Sequence, residues 1–168
     1  MSDSEIQLAL DDVFDQAVVF HAYTDYMRDY EVFTFAVSDP ATGIPPSYDR
    51  YLFRLAVEVN TVTTVRPEVW ARSLDDRLID YEQGKDLDGY VWGVKWHLLY
   101  PGAKVVQDSP RAALWFGRLG IPFREVQVNT NAHDIAIVFS DLVVSRGLPT
   151  GFAPFVVGDD ATTHHLPS

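Results

Sequence analysis

Cysteine is absent from the 168-residue chain, and that one absence removes several chemistries at once. Disulfides, thiolate nucleophiles, iron–sulfur ligation and every cysteine-based zinc site are excluded, leaving His and carboxylate groups as the only conventional catalysts or ligands. Long apolar runs are also missing, so no segment reaches the roughly 18 residues a membrane helix needs. The first residues, Met1-Ser2-Asp3-Ser4-Glu5, are acidic where a signal peptide is basic, which reads as a cytoplasmic protein without a membrane phase. There is no GxGxxG and no GxxxxGK[ST], so nucleotide binding through a known phosphate loop has no support.

Basic residues are few: 13 Lys and Arg against 24 Asp and Glu, a formal net charge of −11. The excess is concentrated. Residues 1–31 carry −7 and residues 73–89 carry −4, while residues 90–128 carry +3. A field of this sign repels phosphate backbones and attracts basic proteins, so direct nucleic-acid binding is not expected and a basic partner is. The plainer explanation is that acidity keeps the protein soluble.

What the chain does have is apolar surface, 47% hydrophobic residues with 13% aromatic, enough to offset the entropy of ordering one domain. Its periodicity places a helix near residues 5–14, with Ser4 and Gln7 as a capping box. Strands follow where Val18, Phe20 and Ala22 alternate with Val19, His21 and Tyr23, and where Glu31, Phe33, Phe35 and Val37 alternate with Val32, Thr34 and Ala36. Residues 40–46, with three prolines and Gly43, form a loop. From 50 to 59 the alternation of Tyr51, Phe53, Leu55, Val57 and Val59 with Arg50, Arg54, Glu58 and Asn60 predicts one long strand with a wet face, the mark of antiparallel sheet. Pro67 opens a second, acid-faced helix that ends at Gly84, and residues 90–97 form a strand ending before Tyr100-Pro101-Gly102. Ser109-Pro110 caps a third helix that closes at Gly120. A hairpin runs from Val126 through a polar turn at 129–133 to Phe139, with residues 142–144 extending it. The expected fold is α+β: an antiparallel sheet of five to six strands with about three helices covering one face, one domain over 1–157 and a flexible tail over 158–168.

Three stretches have familiar wording: residues 13–33 (VFDQAVVFHAYTDYMRDYEVF), 88–102 (DGYVWGVKWHLLYPG) and 125–144 (EVQVNTNAHDIAIVFSDLVV). Together they resemble the YxiG-like family. The phrases are not catalytic signatures, so the resemblance carries no functional residue across. It implies a bacterial source and, by analogy with other small acidic α+β proteins, is compatible with an immunity or inhibitor role.

No site motif is complete. His21 and His97 lie on strands among apolar neighbours, where a core histidine with one hydrogen-bond partner is the ordinary outcome. His164-His165 sit in the tail, and Asp86-Leu87-Asp88-Gly89 begins like a calcium loop but puts glycine at position 4 and His97 at position 12. Neither metal nor cofactor is expected. The cluster from Asn129 to Asp134, followed by Ser140 and Asp141, invites a hydrolase reading, but a strand over 134–140 puts Ser140 about 20 Å from Asp134, and turn chemistry explains the composition. Gly93, between Trp92 and Val94, marks a bulge or a close backbone approach.

The segment from Tyr23 to Tyr30 leans toward function. Tyrosine supplies contact area at small entropy cost and its acidic neighbours steer a basic partner; alternatively, Tyr26 and Tyr30 simply pack on the sheet. The leading expectation is a non-enzymatic interaction protein that binds a basic partner through Asp25, Tyr26, Asp29 and Tyr30, supported by Asp76, Asp80 and Glu82 of the second helix. The competing expectation is a small hydrolase or ligand-binding enzyme using His97 or His133 with a carboxylate from another strand.

Overall fold

The computed structural model describes residues 1–13, 16–24, 26–36, 40–45, 47–64, 67, 97–130 and 133–147, with only the backbone for 40 and 97–101. The expected acid-faced helix over 67–84, most of the strand over 90–97 and the tail lie outside the described residues.

The architecture is mixed α+β. Among the described residues, eight strands form two four-stranded antiparallel sheets: β1 (Ala17–Thr24), β2 (Asp29–Ala36), β3 (Ser47–Arg54) and β8 (Asp141–Arg146) in one, β4 (Glu58–Thr63), β5 (His97–Val106), β6 (Arg124–Thr130) and β7 (His133–Phe139) in the other. A two-pair ladder, Ala17 with Leu98 and Val18 with His97, joins β1 to β5. The hydrogen-bonded order is β4-β7-β6-β5-β1-β2-β3-β8. Its ends meet through the chain: β3 runs into β4 through residues 55–57, and β7 into β8 through Ser140. Hydrogen bonds from Val57 N to Val138 O and from Ser140 N to Arg54 O, both 2.9 Å, keep the ribbons paired around the bend. The two sheets therefore wrap into a barrel-like array in which β4 pairs only with β7, and β8 only with β3, among the described residues.

The count of five to six strands is corrected to eight among the described residues, because alternation does not show corners. The segment over 50–59 breaks at Leu55, whose φ is +48°, so Tyr51 and Phe53 enter the main core while Leu55 and Val57 pack with a second cluster. Residues 141–146 leave β7 and pair with β3. β5 continues through Pro101-Gly102 instead of stopping there, absorbing the turn signal as a bulge between Leu99 and Gly102, where φ is +112° and only glycine is unstrained.

Two helices are present among the described residues. The first, α1 (Asp3–Asp11), is capped by Ser2 rather than Ser4: Glu5 N donates to Ser2 Oγ at 3.3 Å and Ser2 N to Glu5 Oε2 at 2.6 Å. These contacts hold the Glu5 carboxyl below its usual range. The helix buries Ile6 and Leu10 in the barrel interior with Val32, Phe53, Val126, Ile137 and Phe139. Gln7, expected in a capping box, instead serves the backbone of β5, donating to Ala103 O at 3.2 Å and accepting from Val105 N at 2.8 Å. It supplies the hydrogen bonds of a neighbouring strand where α1 lies alongside β5.

The second, α2 (Pro110–Leu119), has the predicted caps: Ser109 Oγ accepts from Ala112 N at 3.1 Å, Pro110 begins the helix, and Gly120 ends it at φ +70°. It packs Ala112 and Trp115 with Val138, Phe123 and Leu55. Arg111 fastens it to the sheet, bonding Glu58 and, at 2.9 Å, Glu125, whose other oxygen accepts from Ser109 Oγ at 2.5 Å. Arg111 is the first cause of the lowered Glu58 pKa, with the Trp115 indole N–H second.

Candidate functional site

The β1–β2 hairpin turns through residues 26–28, closed by Arg28 N donating to Thr24 O at 3.1 Å. Tyr26 and Met27 occupy its tip with φ of +60° and +67°, the left-handed region that normally goes to Gly or Asn. Both side chains point into water, Tyr26 at 104% relative exposure and Met27 at 70%. Holding two bulky residues left-handed costs about 1–2 kcal/mol each.

The residues around the tip divide sharply. Asp29, expected to face a partner, is wholly buried. Its Oδ1 accepts from Leu55 N at 2.9 Å, and Arg54 Nε lies 3.1 Å from Oδ2 without hydrogen-bond alignment. Asp29 thus pins the β3–β4 corner. Tyr30, expected beside it on the surface, is 5% exposed and belongs to the core. These two side chains are not available to a partner in this conformation: strand pairing of Thr24 with Asp29 starts β2 at once, and the sheet interior claims both. Of the remaining candidates, Asp25, Asp76, Asp80 and Glu82 lie outside the described residues.

Beneath the tip, the inward positions of the strands turn polar. His21 Nδ1 and the Tyr30 hydroxyl are 2.5 Å apart, and Tyr30 also hydrogen-bonds Thr61 of β4. Tyr23 meets Tyr30 edge-on, with centroids 5.0 Å apart. Burial raises the Tyr30 pKa to about 12, so the phenol keeps its proton and is neutral in its hydrogen bond with His21. His133, at the start of β7, is near enough to His21 to disfavour its charging; burial is the larger cause for His21 and the cause for His133, and both pKa values are lowered. Thr130 Oγ1 accepts from His133 N at 2.8 Å and donates to His133 O at 3.0 Å, fixing the turn. The result is a neutral, hydrogen-bonded mouth of tyrosine, threonine and histidine.

Other candidates fare differently. Asp134 accepts from Asn129 Nδ2 at 2.6 Å, a cross-strand contact of the hairpin. Ser140 lies at the opposite end of β7 from His133, about 23 Å along an extended strand. The His97 side chain, the tail histidines, Asp86–Gly89 and Gly93 lie outside the described residues. Among the described residues, no group of three His, Asp or Glu is placed to hold a metal ion. A groove of about 310 Å³ runs between the start of α1 and α2, floored by Phe116, Phe123 and Pro122 and bordered by Asp3, Asp108 and Arg124. Arg124 is already committed there, to Asp3 at 2.6 Å, Met1 O at 2.6 Å and Ser140 O at 3.0 Å.

A family model described as YxiG-like protein matches residues 2–158. The chain belongs to the YxiG-like family. No curated protein and no solved structure matches it. The match takes in both the hairpin tip and the mouth of this YxiG-like chain, so the resemblance seen in three short stretches extends over nearly the whole sequence. No helix among the described residues is long and apolar enough to cross a membrane.

Proposed function

We propose that this YxiG-like protein is a non-enzymatic, cytoplasmic, bacterial interaction protein that binds a basic protein partner, as an immunity or inhibitor protein does, and that Tyr26 and Met27 anchor the partner. The observation that carries this reading is the tip itself. Two large side chains stand exposed on a backbone conformation that penalises them. Strain of this kind persists where the side chains are required for something outside the fold. An exposed tyrosine beside a methionine suits a contact that fills a pocket on another protein.

The net charge of −11 supplies the second part, long-range attraction to a basic surface. Arg28 and Arg54 offset Asp29 beside the tip, so the attraction comes from the acidic charge of the chain as a whole, to which Asp25, Asp76, Asp80 and Glu82 contribute. The competing hydrolase reading has less behind it, because the His21 partner is a tyrosine and Asp134 beside His133 is engaged by Asn129.

The test is affinity capture from the host with the full chain and a Tyr26→Gly/Met27→Gly variant. The variant relieves backbone strain, so a loss of capture is not a loss of folding. Capture of one discrete basic protein, weakened by 1 M salt and reduced at least about tenfold in the variant, is expected. Equal capture by both proteins refutes the anchor.

A further inference from the structure

Only two side chains of α2 are polar, Arg111 and Arg118, and Arg111 is turned to the sheet. A surface helix ordinarily gives its outer face to charged residues, whereas one that is apolar all round belongs in an interior. Here Ala112 is buried and Trp115 half-buried, yet Leu114, Phe116 and Leu119 are each more than half exposed. Ala113 and Gly117, also exposed, lie between Phe116 and Leu114 around the helix. Gly117 is a second anomaly. Glycine weakens a helix interior, and a Cβ at this position would meet no atom within 4 Å, so nothing in the described fold calls for it. What glycine permits on an exposed helix face is close approach by another backbone. We propose that the outer face of α2 is a self-association surface, on which a second copy of this chain packs its own α2, antiparallel, about a two-fold axis. This surface is independent of the hairpin tip.

Charge selects both this occupant and its direction. With a net charge of −11 the chain repels its own copies, so two copies meet most easily where acids are few. Residues 90–128 carry +3, and α2 contains no acid. The same shortage makes this face unattractive to a basic protein. Asp108 just before the helix and Arg118 near its end are both exposed. Neither forms an ion pair among the described residues, and the Arg118 guanidinium lies over the Trp115 ring, 5.0 Å from its centroid. Antiparallel packing carries Arg118 of each copy toward Asp108 of the other, so one substitution touches two reciprocal pairs; parallel packing would set like charges together. Opposed helix dipoles favour the same direction. A two-fold axis makes one patch meet itself, bringing Leu114 beside its counterpart on one flank and Phe116 beside its counterpart on the other. On the Phe116 flank the groove of about 310 Å³, with Phe123 and Pro122 in its floor, leaves room for the second ring. A ten-residue helix is about 15 Å long, so the pair buries on the order of 1,000 Å² in all, the low end for a specific interface. The dimer is therefore weak and reversible.

The experiment is sedimentation velocity of the full chain over a concentration series at physiological salt, with thermal melts of every variant. Wild type should pass from monomer to dimer with a dissociation constant on the order of 10–100 µM. Gly117→Leu fills open space on the helix and should melt no lower than wild type while weakening the dimer at least about tenfold. Arg118→Glu and Asp108→Lys should each weaken it about fivefold or more, since each breaks both reciprocal pairs and sets like charges opposite one another. The double swap, Asp108→Lys/Arg118→Glu, keeps the net charge and should recover most of the wild-type association. Should Gly117→Leu fail to fold, the swap decides. A monomer at every concentration overturns the proposal, whether the face then takes another protein or is covered by the chain's own residues. So does a dimer indifferent to Gly117→Leu, or a double swap no better than the single variants.

Discussion

Replacing Asp29 separates a hydrogen-bond role from a charge role at the corner where the barrel turns. The carboxylate is wholly buried, accepts the Leu55 amide at 2.9 Å and has Arg54 and Arg28 near it, at 3.1 and 3.5 Å. Asp29→Ala leaves the Leu55 N–H without its acceptor at a residue already left-handed, which costs about 1–3 kcal/mol, and leaves a small void. The two arginine side chains are about half exposed, at 47% and 55%, and turn back to water when released, so their ion pairs contribute no more than about 1 kcal/mol together. Asp29→Ala should therefore cost about 2–4 kcal/mol. Asp29→Asn keeps an oxygen for Leu55 and should cost about 1 kcal/mol. In urea, with a slope of about 2 kcal/mol/M, the alanine variant loses about 1–2 M of midpoint and the asparagine variant about 0.5 M. An asparagine variant as damaged as the alanine one would show that the negative charge, rather than the bond to Leu55, holds the corner.

Phe53→Asp places a charge against Phe139, whose ring lies 4.9 Å away edge-on, in the core that α1 also enters, and cooperative unfolding should be lost; a melt like that of wild type would refute the core placement. The Tyr26→Gly/Met27→Gly variant should gain about 1 kcal/mol or more in chemical denaturation, strain relief outweighing the added freedom of the unfolded chain, whereas a loss would mean the tip is not strained. The folded-state pKa values of His21 and His133 lie below the unfolded 6.5, so the unfolded chain takes up protons first as pH falls. Stability that is full above about pH 6.5 should decline below it, and His21→Gln/His133→Gln should flatten that decline in urea titrations at pH 7.5 and 5.5.

Local chemistry was the legible part of this chain. The strands around Val18 and Phe33, the hairpin from Val126 to Phe139 and the helix between Ser109 and Gly120 follow from alternation, caps and turn residues, because those signals act over a few residues. Corners are different. Leu55 turns left-handed without glycine or proline to announce it, held by Asp29 from 26 positions away. Pro101-Gly102 announces a turn and is used as a bulge, since α1 and β6 flank β5 and keep it extended. The connector from Tyr23 to Tyr30 was legible as aromatic and acidic, but burial separates Tyr26 from Tyr30, and a tight hairpin turn gives no helical spacing by which to see it. The mouth joins positions 21, 30, 61 and 133, a set that only the strand order brings together.

The central claim, that Tyr26 and Met27 exist to meet another protein, is tested most directly by placing a photo-crosslinking amino acid at position 26 of the full chain in its host. As a control the same group goes at position 114, an exposed leucine on α2. One discrete adduct to a basic protein from position 26, weaker or missing from position 114, is the result this account predicts. No adduct at position 26, or the same scattered adducts from both positions, would contradict it.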